Sequence, residues 1–466
     1  MLKTLNLYDT KAREVLPIIG SGEVVNLYCC GPTVYRDAHI GNMRTFLLAD
    51  LIRRTLELNG LQVRVIQNIT DVGHLAEDSE EVASLQDQSE GEDKIITAAR
   101  SENLAPLAIA RKYENEYHVD LAALNILPAE QYPRASDCIP LMQDLIAELL
   151  KRGNAYLSSD GSVYFDATSF PGYGEISGNR LDALKPGYRY EFTSESGKKF
   201  HADWVLWKAA GGRQEMIWDS PWGKGFPGWH IECSAMSMHF LVGKIDLHIG
   251  GIDLRFPHHE NERAQSNSVT GNESVEHWIH GEHLLFEGRK MSKSAGNVLL
   301  LRDLHTRGID PLALRLTFLE NRYRSQMDLT WDSIISAQST LKRWRILVNQ
   351  SQELSVPWND EIAHALNADL DTPKAIQLLR KIEKDAQVPL SEKVAAFLFA
   401  DKVLALDLSR QNPVRPLPTE LLNILENRAI ARKNKNWQES DRLRDLLKAE
   451  GVLLKDSAAE QNWEWE

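Results

Sequence analysis

His39-Ile40-Gly41-Asn42 and Lys290-Met291-Ser292-Lys293-Ser294 are the two stretches of this chain whose residue types suit the handling of a nucleotide. The first falls between a strand-like and a helix-like segment. A helix N-terminus there offers unpaired N–H groups and the positive end of a dipole to a phosphate. Gly41 lets the backbone come close, and the His39 and Asn42 side chains can each donate to a phosphate oxygen. In the second, Lys290 and Lys293 stand beside Ala295-Gly296-Asn297 on a loop, where their charge could stabilise a departing pyrophosphate. Taken singly, each stretch is also what an ordinary turn looks like. Cys30, Cys233, His258 and Glu262 are of zinc-ligand type. His258 and Glu262 are four apart in a helical pattern and share a face. Cys30 ends a strand-like run, and Cys233 sits near the end of another element. If both ends meet at the top of a sheet, the four converge. No close pair of cysteines supports this by spacing, and free cysteines are commonly buried as small hydrophobes. The HHENE stretch lacks the HExxH spacing of a zinc protease.

These residues need elements to hold them. VVNLYCC, Val24 to Cys30, reads as a buried strand running into GPTVYRDAHIGN, which is rich in turn residues. Helical spacing from Met43 to Leu58 stops at Asn59-Gly60, and LQVRVIQNIT supplies a second strand. Strand, glycine loop, helix and strand open a parallel nucleotide-binding sheet. Glu77 to Asp93 holds eight acids without hydrophobic periodicity and reads as a solvated loop. AYLSSDGSVYFDA predicts a hairpin turning at Asp160-Gly161, with irregular structure following to Phe200. DWVLWK and KIDLHIG predict strands, PHHENERAQSNSV a helix, and HLLFEGRKMSKSAGN a strand entering a loop. Amphipathic helices dominate from Asp310 to Leu406. Pro413 to Pro418 reads as a linker, and a last helical module covers Glu420 to Gly451.

The composition fits an ordinary globular protein of 466 residues, 43% hydrophobic and 26% charged. Four cysteines are too few for a disulfide framework and suit a reducing cytoplasm. MLKTLNLYDT lacks the apolar core of a signal peptide, and no run is long enough to span a membrane. A net charge of −13 argues against a nonspecific nucleic-acid coat, though one face can still concentrate positive charge. Between Arg428 and Lys448, seven basic residues face only Glu439, Asp441 and Asp445, a local patch suited to phosphates.

YCCGPTVY, HIGN, NITD, GWHIECSAM, GGIDLRFPHHENE and KMSKSAGN occur here in the order found in cysteinyl-tRNA synthetases. With ARKNKNWQESDRLRDLL near the end, essentially the whole chain resembles that family of class I aminoacyl-tRNA synthetases. The resemblance implies an α/β fold, a Rossmann-like parallel-sheet catalytic domain with a connective insertion, followed by C-terminal helical domains. On that plan 1–120 and 201–300 are the halves of the catalytic domain and 121–200 is the insertion. Residues 301–410 form a helical stem-contact region, and 411–466 a helical anticodon-binding module.

The same resemblance implies ATP-dependent activation of L-cysteine and its transfer to the 3′ end of tRNA(Cys). It implies a cytoplasmic monomer with one zinc ion, and Mg²⁺ accompanying ATP. His39, Asn42, Lys290 and Lys293 are the implied catalytic residues, with His39, Gly41 and Lys293 on ATP. The family's zinc ligands match Cys30, Cys233, His258 and Glu262; Cys30 is the match, not Cys29, because it precedes the glycine. Its amino-acid pocket matches Thr70, Trp229 and Asp253, and its anticodon contacts match Arg432, Asp441, Asp456 and Trp463. A zinc-bound substrate thiolate would then select cysteine over serine. Two departures stand out. Asn42 replaces the last histidine of the usual HIGH, and VGHLAEDSEEVASLQDQSEG, residues 72–91, is inserted after NITD. Two other readings remain: a cysteine ligase of the mycothiol pathway with an amino-sugar acceptor, and a noncatalytic RNA-binding paralogue.

Overall fold

A computed structural model describes residues 4–73, 93–184, 197–291, 297–351, 355–411, 417–456 and 461–465. Most of the acidic stretch, Lys293 and most of the proline-rich linker therefore lie outside the described residues. The chain divides into two compact units, Met1–Arg410 and Gln411–Glu466.

Four parallel strands make the central sheet of the first unit, in spatial order Val275–Gly281, Ile245–Gly251, Val24–Cys29, Gln62–Gln67. Crossovers cover both faces of this sheet, and Ile245–Gly251 is buried at every position although Asp246 and His248 lie within it. The helix Ile40–Leu58 links Val24–Cys29 outward to Gln62–Gln67, and the helix His258–Thr270 links Ile245–Gly251 outward to Val275–Gly281. The two middle strands thus run side by side while their connections leave in opposite directions. A crevice opens at such a reversal, beyond the carboxyl ends of the strands.

Around this sheet lie two further sets of strands. A four-stranded antiparallel meander, Ala155–Leu157, Val163–Phe165, Trp204–Ala209 and Gly225–Pro227, contains the expected hairpin, with Gly161 at φ +86° in its turn. This sheet joins residues on both sides of position 200. Leu284–Phe286 pairs with Arg289–Lys290 on one side and in parallel with Met327–Leu329 on the other. That last strand interrupts a region whose spacing predicted helices alone; three residues are too few to show a period. Helices Pro311–Leu319, Trp331–Val348, Asp360–Asn367, Thr372–Lys384 and Leu390–Leu404 make up most of the remainder. Among the described residues, no helix is long and apolar enough to cross a membrane.

The second unit has helices Thr419–Lys433 and Trp437–Ala449, but it is not wholly helical. Val452–Asp456 and Gln461–Trp465 form an antiparallel hairpin that pairs Leu454 with Trp463. The alternation in QNWEW is a period of two, which suits a strand. Its small core is Leu417, Leu421, Leu447, Val452 and Leu454.

Candidate active site

Cys29 packs in the main core, where Gln67 Nε2 donates to its sulfur at 3.4 Å. Cys30, one residue on, turns to the other side and meets Cys233, as successive residues of an extended chain must. Cys233 does not come from a strand end. It lies within the helix Trp229–Phe240, and His258 and Glu262 come from the helix His258–Thr270. One strand end and two helices therefore converge at the crevice, and all four side chains are buried.

Their spacing can be compared with a zinc tetrahedron. Zn–S bonds of about 2.3 Å and Zn–N or Zn–O bonds of about 2.1 Å put two sulfurs ~3.8 Å apart, sulfur and oxygen ~3.6 Å, nitrogen and oxygen ~3.4 Å. Here Cys30 Sγ is 3.9 Å from Cys233 Sγ and 3.7 Å from Glu262 Oε1, and His258 Nε2 is 3.1 Å from Glu262 Oε1. Glu262 Oε2 is buried without a hydrogen bond; His248 Nε2 stands 3.5 Å from it. An orphaned carboxylate oxygen is costly unless something cationic meets it. The four residues fit a metal ion.

Electrostatics agree. Burial pushes the Cys30 thiol well up. At Cys233 burial also opposes ionisation, but hydrogen bonds with Cys30 and His258 hold the thiol low, at about 6. Burial lowers His258, yet Glu262 and Cys233 outweigh it and raise the imidazole to about 10. A thiolate and a carboxylate thus share one imidazolium proton, which a dication would displace. His258 Nδ1 contacts His230 Nδ1 at 2.9 Å, a second-layer partner of the kind that orients metal-bound histidines.

A second donor set overlaps the first. Cys30, His248, His259 and Glu262 also gather within 4.8 Å of one another, with Cys30 Sγ 3.5 Å from His248 Nε2 and 3.4 Å from His259 Nε2. The set with two thiols is the better match to a borderline-soft ion. Sequence reading passed over His248 and His259. The signals were present: His259 and Glu262 are three apart on the helix, and His248 lies in a fully buried strand.

Of the three pocket candidates, Trp229 touches the cluster, and Thr70 bonds the neighbour of Cys233 in sequence, Glu232. Thr70 is buried; its hydroxyl donates to Glu232 Oε2 at 3.0 Å and accepts from Asn68 Nδ2 at 3.1 Å. Asn68 Oδ1 accepts from the Gly31 N–H at 2.9 Å, which fixes the amide so that its NH₂ faces Thr70. The Trp229 ring lies over His258, centroids 4.2 Å apart. Asp253 is exposed in the short turn Ile252–Arg255 that follows the strand Ile245–Gly251.

The nucleotide stretches also come together. His39 is the N-cap of the helix Ile40–Leu58, so Ile40, Gly41 and Asn42 form its first turn and not a loop before it. Asn42 N–H donates to His39 Nδ1 at 3.3 Å, and His39 N–H donates to Asn42 Oδ1 at 3.2 Å, a reciprocal cap. A neutral His39 accepting at Nδ1 carries its proton on Nε2. Asn42 thereby keeps a structural part that needs no charge. A Cβ on Gly41 would stand 2.9 Å from Met291 Cε, and Ile40 N–H donates to Leu299 O at 3.1 Å. Both ends of the Lys290–Asn297 loop therefore touch the helix start. Glu287 and Gly288, at φ +50° and +75°, turn the chain so that Lys290 leaves an exposed strand edge.

A family described as "tRNA synthetases class I (C) catalytic domain" matches residues 18–339, and "Cysteinyl-tRNA ligase anticodon binding domain" matches 415–463. The chain belongs to the cysteinyl-tRNA synthetase family. Its relatives include the cysteine–tRNA ligase of Thermus thermophilus, 40% identical with 99% of each chain covered. That of Chlamydia muridarum is 37% identical, covering 97% of this chain and 98% of its own. A methionyl-tRNA synthetase of Mycobacterium tuberculosis solved with methionyl-adenylate is 14% identical, with TM-score 0.52 over 82% of this chain and 89% of its own, a likeness of fold.

In the second unit, the synthetase family's implied RNA contacts are dispersed. Arg432 is on the helix Thr419–Lys433, Asp441 is exposed on the next helix, Asp456 ends the first hairpin strand, and Trp463 packs half-buried on the small core. The basic patch is smaller than its sequence suggests. Arg428 is buried and donates to Gln461, and Arg442 pairs with Glu439 at 2.7 Å.

Proposed function

We propose that this chain activates L-cysteine with ATP to cysteinyl-adenylate and transfers the cysteinyl group to the 3′ end of tRNA(Cys). The observation that carries this reading is the buried set Cys30, Cys233, His258 and Glu262 at tetrahedral spacing in the crevice of a class I sheet. Those residues hold zinc, which when bound supplies a soft site for the substrate thiolate. Thr70, whose hydroxyl proton is directed to Glu232, offers its remaining lone pair to the substrate ammonium. Asp253 adds a carboxylate for the same group, and Trp229 walls the small side chain. These contacts hold the cysteine carboxylate for attack on the α-phosphate. His39 donates to phosphate from Nε2, and the Gly41 backbone approaches it closely. Lys290 and Lys293 stabilise the leaving pyrophosphate, and Mg²⁺ accompanies ATP. The ribose hydroxyl of the tRNA end then displaces AMP. Arg432, Asp441, Asp456 and Trp463 contact the anticodon, residues 301–410 contact the stem, and the enzyme works as a cytoplasmic monomer.

The amino-sugar ligase reading is disfavoured by residues 415–463, which match an anticodon-binding family. Cysteine-dependent exchange of pyrophosphate into ATP tests the first step and excludes a noncatalytic binder. Transfer of labelled cysteine to tRNA(Cys), set against an amino-sugar acceptor, tests the second. Exchange without transfer to tRNA would overturn the reading.

A further inference from the structure

Arg44 is two residues beyond the HIGN turn and 6% exposed. Its guanidinium donates to four backbone carbonyl oxygens: Nη1 to Glu282 at 3.0 Å and His283 at 3.1 Å, Nη2 to Arg322 at 2.9 Å and Ser325 at 2.8 Å. Burial lowers the group to about 10, so it remains charged at neutral pH.

Where those carbonyls lie gives the arrangement its meaning. Glu282 and His283 lead directly into Leu284–Phe286, the strand that turns at Glu287-Gly288 into Lys290. Arg322 and Ser325 lead into Met327–Leu329, which pairs in parallel with that same strand. One cation on the helix Ile40–Leu58 therefore fixes the root of the strand that leads to Lys290 and the root of the strand paired beside it. Four carbonyls aimed at one point would repel one another without a cation between them, and only a planar fork reaches two pairs at once. Met291 beside Gly41 and Leu299 O on the Ile40 N–H bring the chain on either side of the loop to the same helix.

We infer that Arg44 is a positioning residue for pyrophosphate departure, setting the strand that ends at Lys290 in place relative to the His39 turn. The inference rests on the reading of the Lys290–Asn297 loop as the ATP loop. It makes a claim that simple stabilisation of the fold does not: Arg44 matters to ligands that carry β- and γ-phosphates and not to those that lack them.

The test uses the full chain with Arg44→Lys and Arg44→Met, and the lysine form carries the test where the methionine form unfolds. Zinc content and thermal melting report the fold. Displacement of a loop by an ångström can cost about a hundredfold in rate. Single-turnover adenylation in Arg44→Lys should fall by that order, while the affinity for a cysteinyl-sulfamoyl-adenosine analogue, which has no pyrophosphate, stays within about twofold. Placed in a Lys290→Ala background, Arg44→Lys should cost far less than it does alone, because the group it positions is gone. An unchanged adenylation rate, a parallel loss of analogue affinity, or additive losses in the double variant would each overturn the inference. Failure of the ATP-loop reading itself is distinguishable: Lys293→Ala alone would then leave adenylation intact.

Discussion

At the scale of single residues, the overlap of two donor sets around Cys30 and Glu262 leads to a sharp expectation. His258→Ala should lose zinc under a chelator challenge that His259→Ala withstands, with metal content as the measurement. The reverse order would move the metal to the His248 side of the cluster. Removing zinc from the intact protein should abolish cysteine-dependent pyrophosphate exchange while the far-ultraviolet circular dichroism of the sheet persists. Lys293→Ala should raise the adenylation barrier by about 2.7–4 kcal/mol, as loss of one donor to developing charge does; a single-turnover rate like that of the unaltered chain would contradict this. The site was legible where chemistry is written in residue type and neighbours: Cys30 before its glycine, His258 and Glu262 one turn apart. It was not legible where a partner comes from another part of the fold. Glu232 acts on Thr70 across 162 positions, and Arg44 reaches carbonyls nearly 240 or more positions away. Nothing about a buried Glu or Arg in a helix names such partners beforehand.

Among elements, the helix Ile40–Leu58 does more than present His39. Its Asp50 accepts from Arg315 at 2.6 Å, both fully buried, and Arg315 also donates to the carbonyls of Leu124, Asn125 and Leu404. This one side chain ties the helix Ile40–Leu58 to Pro311–Leu319, to the end of Pro106–Ala123 and to Leu390–Leu404. Arg315→Met leaves Asp50 its pair with Arg54 at 2.9 Å but strips the donor from the buried carbonyls of Leu124, Asn125 and Leu404, so it should destabilise the first unit by about 1–3 kcal/mol in urea denaturation. A change within experimental error would mean that water reaches those carbonyls once the arginine is gone. Several elements were legible, because VVNLYC is an apolar run and Ile40–Leu58 carries a helical period, whereas Val275–Gly281, VEHWIHG, mixes polar residues into a buried strand and escaped the sequence reading. The exceptions have local causes. The cap formed by His39 and Asn42 moves the helix start three residues earlier than the apolar pattern suggests. Met327–Leu329 owes its strand form to a neighbour, Leu284–Phe286, and the terminal hairpin owes its form to pairing that a helical reading of the module left out.

For the whole molecule, the decisive property is that the two family matches fall on separately cored units. The first, Met1–Arg410, contains the parallel sheet, the metal cluster and the His39 turn; the second, Gln411–Glu466, has its own small core and a distinct family match. Among the described residues its largest buried cluster is only Leu417, Leu421, Leu447, Val452 and Leu454, a modest core for a unit of this size. Trp463→Ala is therefore an ambiguous probe, since it removes packing as well as any stacking surface. Ending the chain after Arg410 is cleaner. The truncated protein should retain cysteine-dependent pyrophosphate exchange within a fewfold, because none of the residues assigned to activation lies beyond that point. Its kcat/KM for charging tRNA(Cys) should fall steeply, since each lost base contact of the stacking kind costs about 1–3 kcal/mol and several would go together. The loss should fall on KM for tRNA more than on the exchange rate, and the remaining charging should no longer respond to substitutions in the anticodon. If exchange collapses along with charging while the truncated chain stays folded and zinc-loaded, the activation site depends on the second unit, and the division of labour assigned to them is wrong.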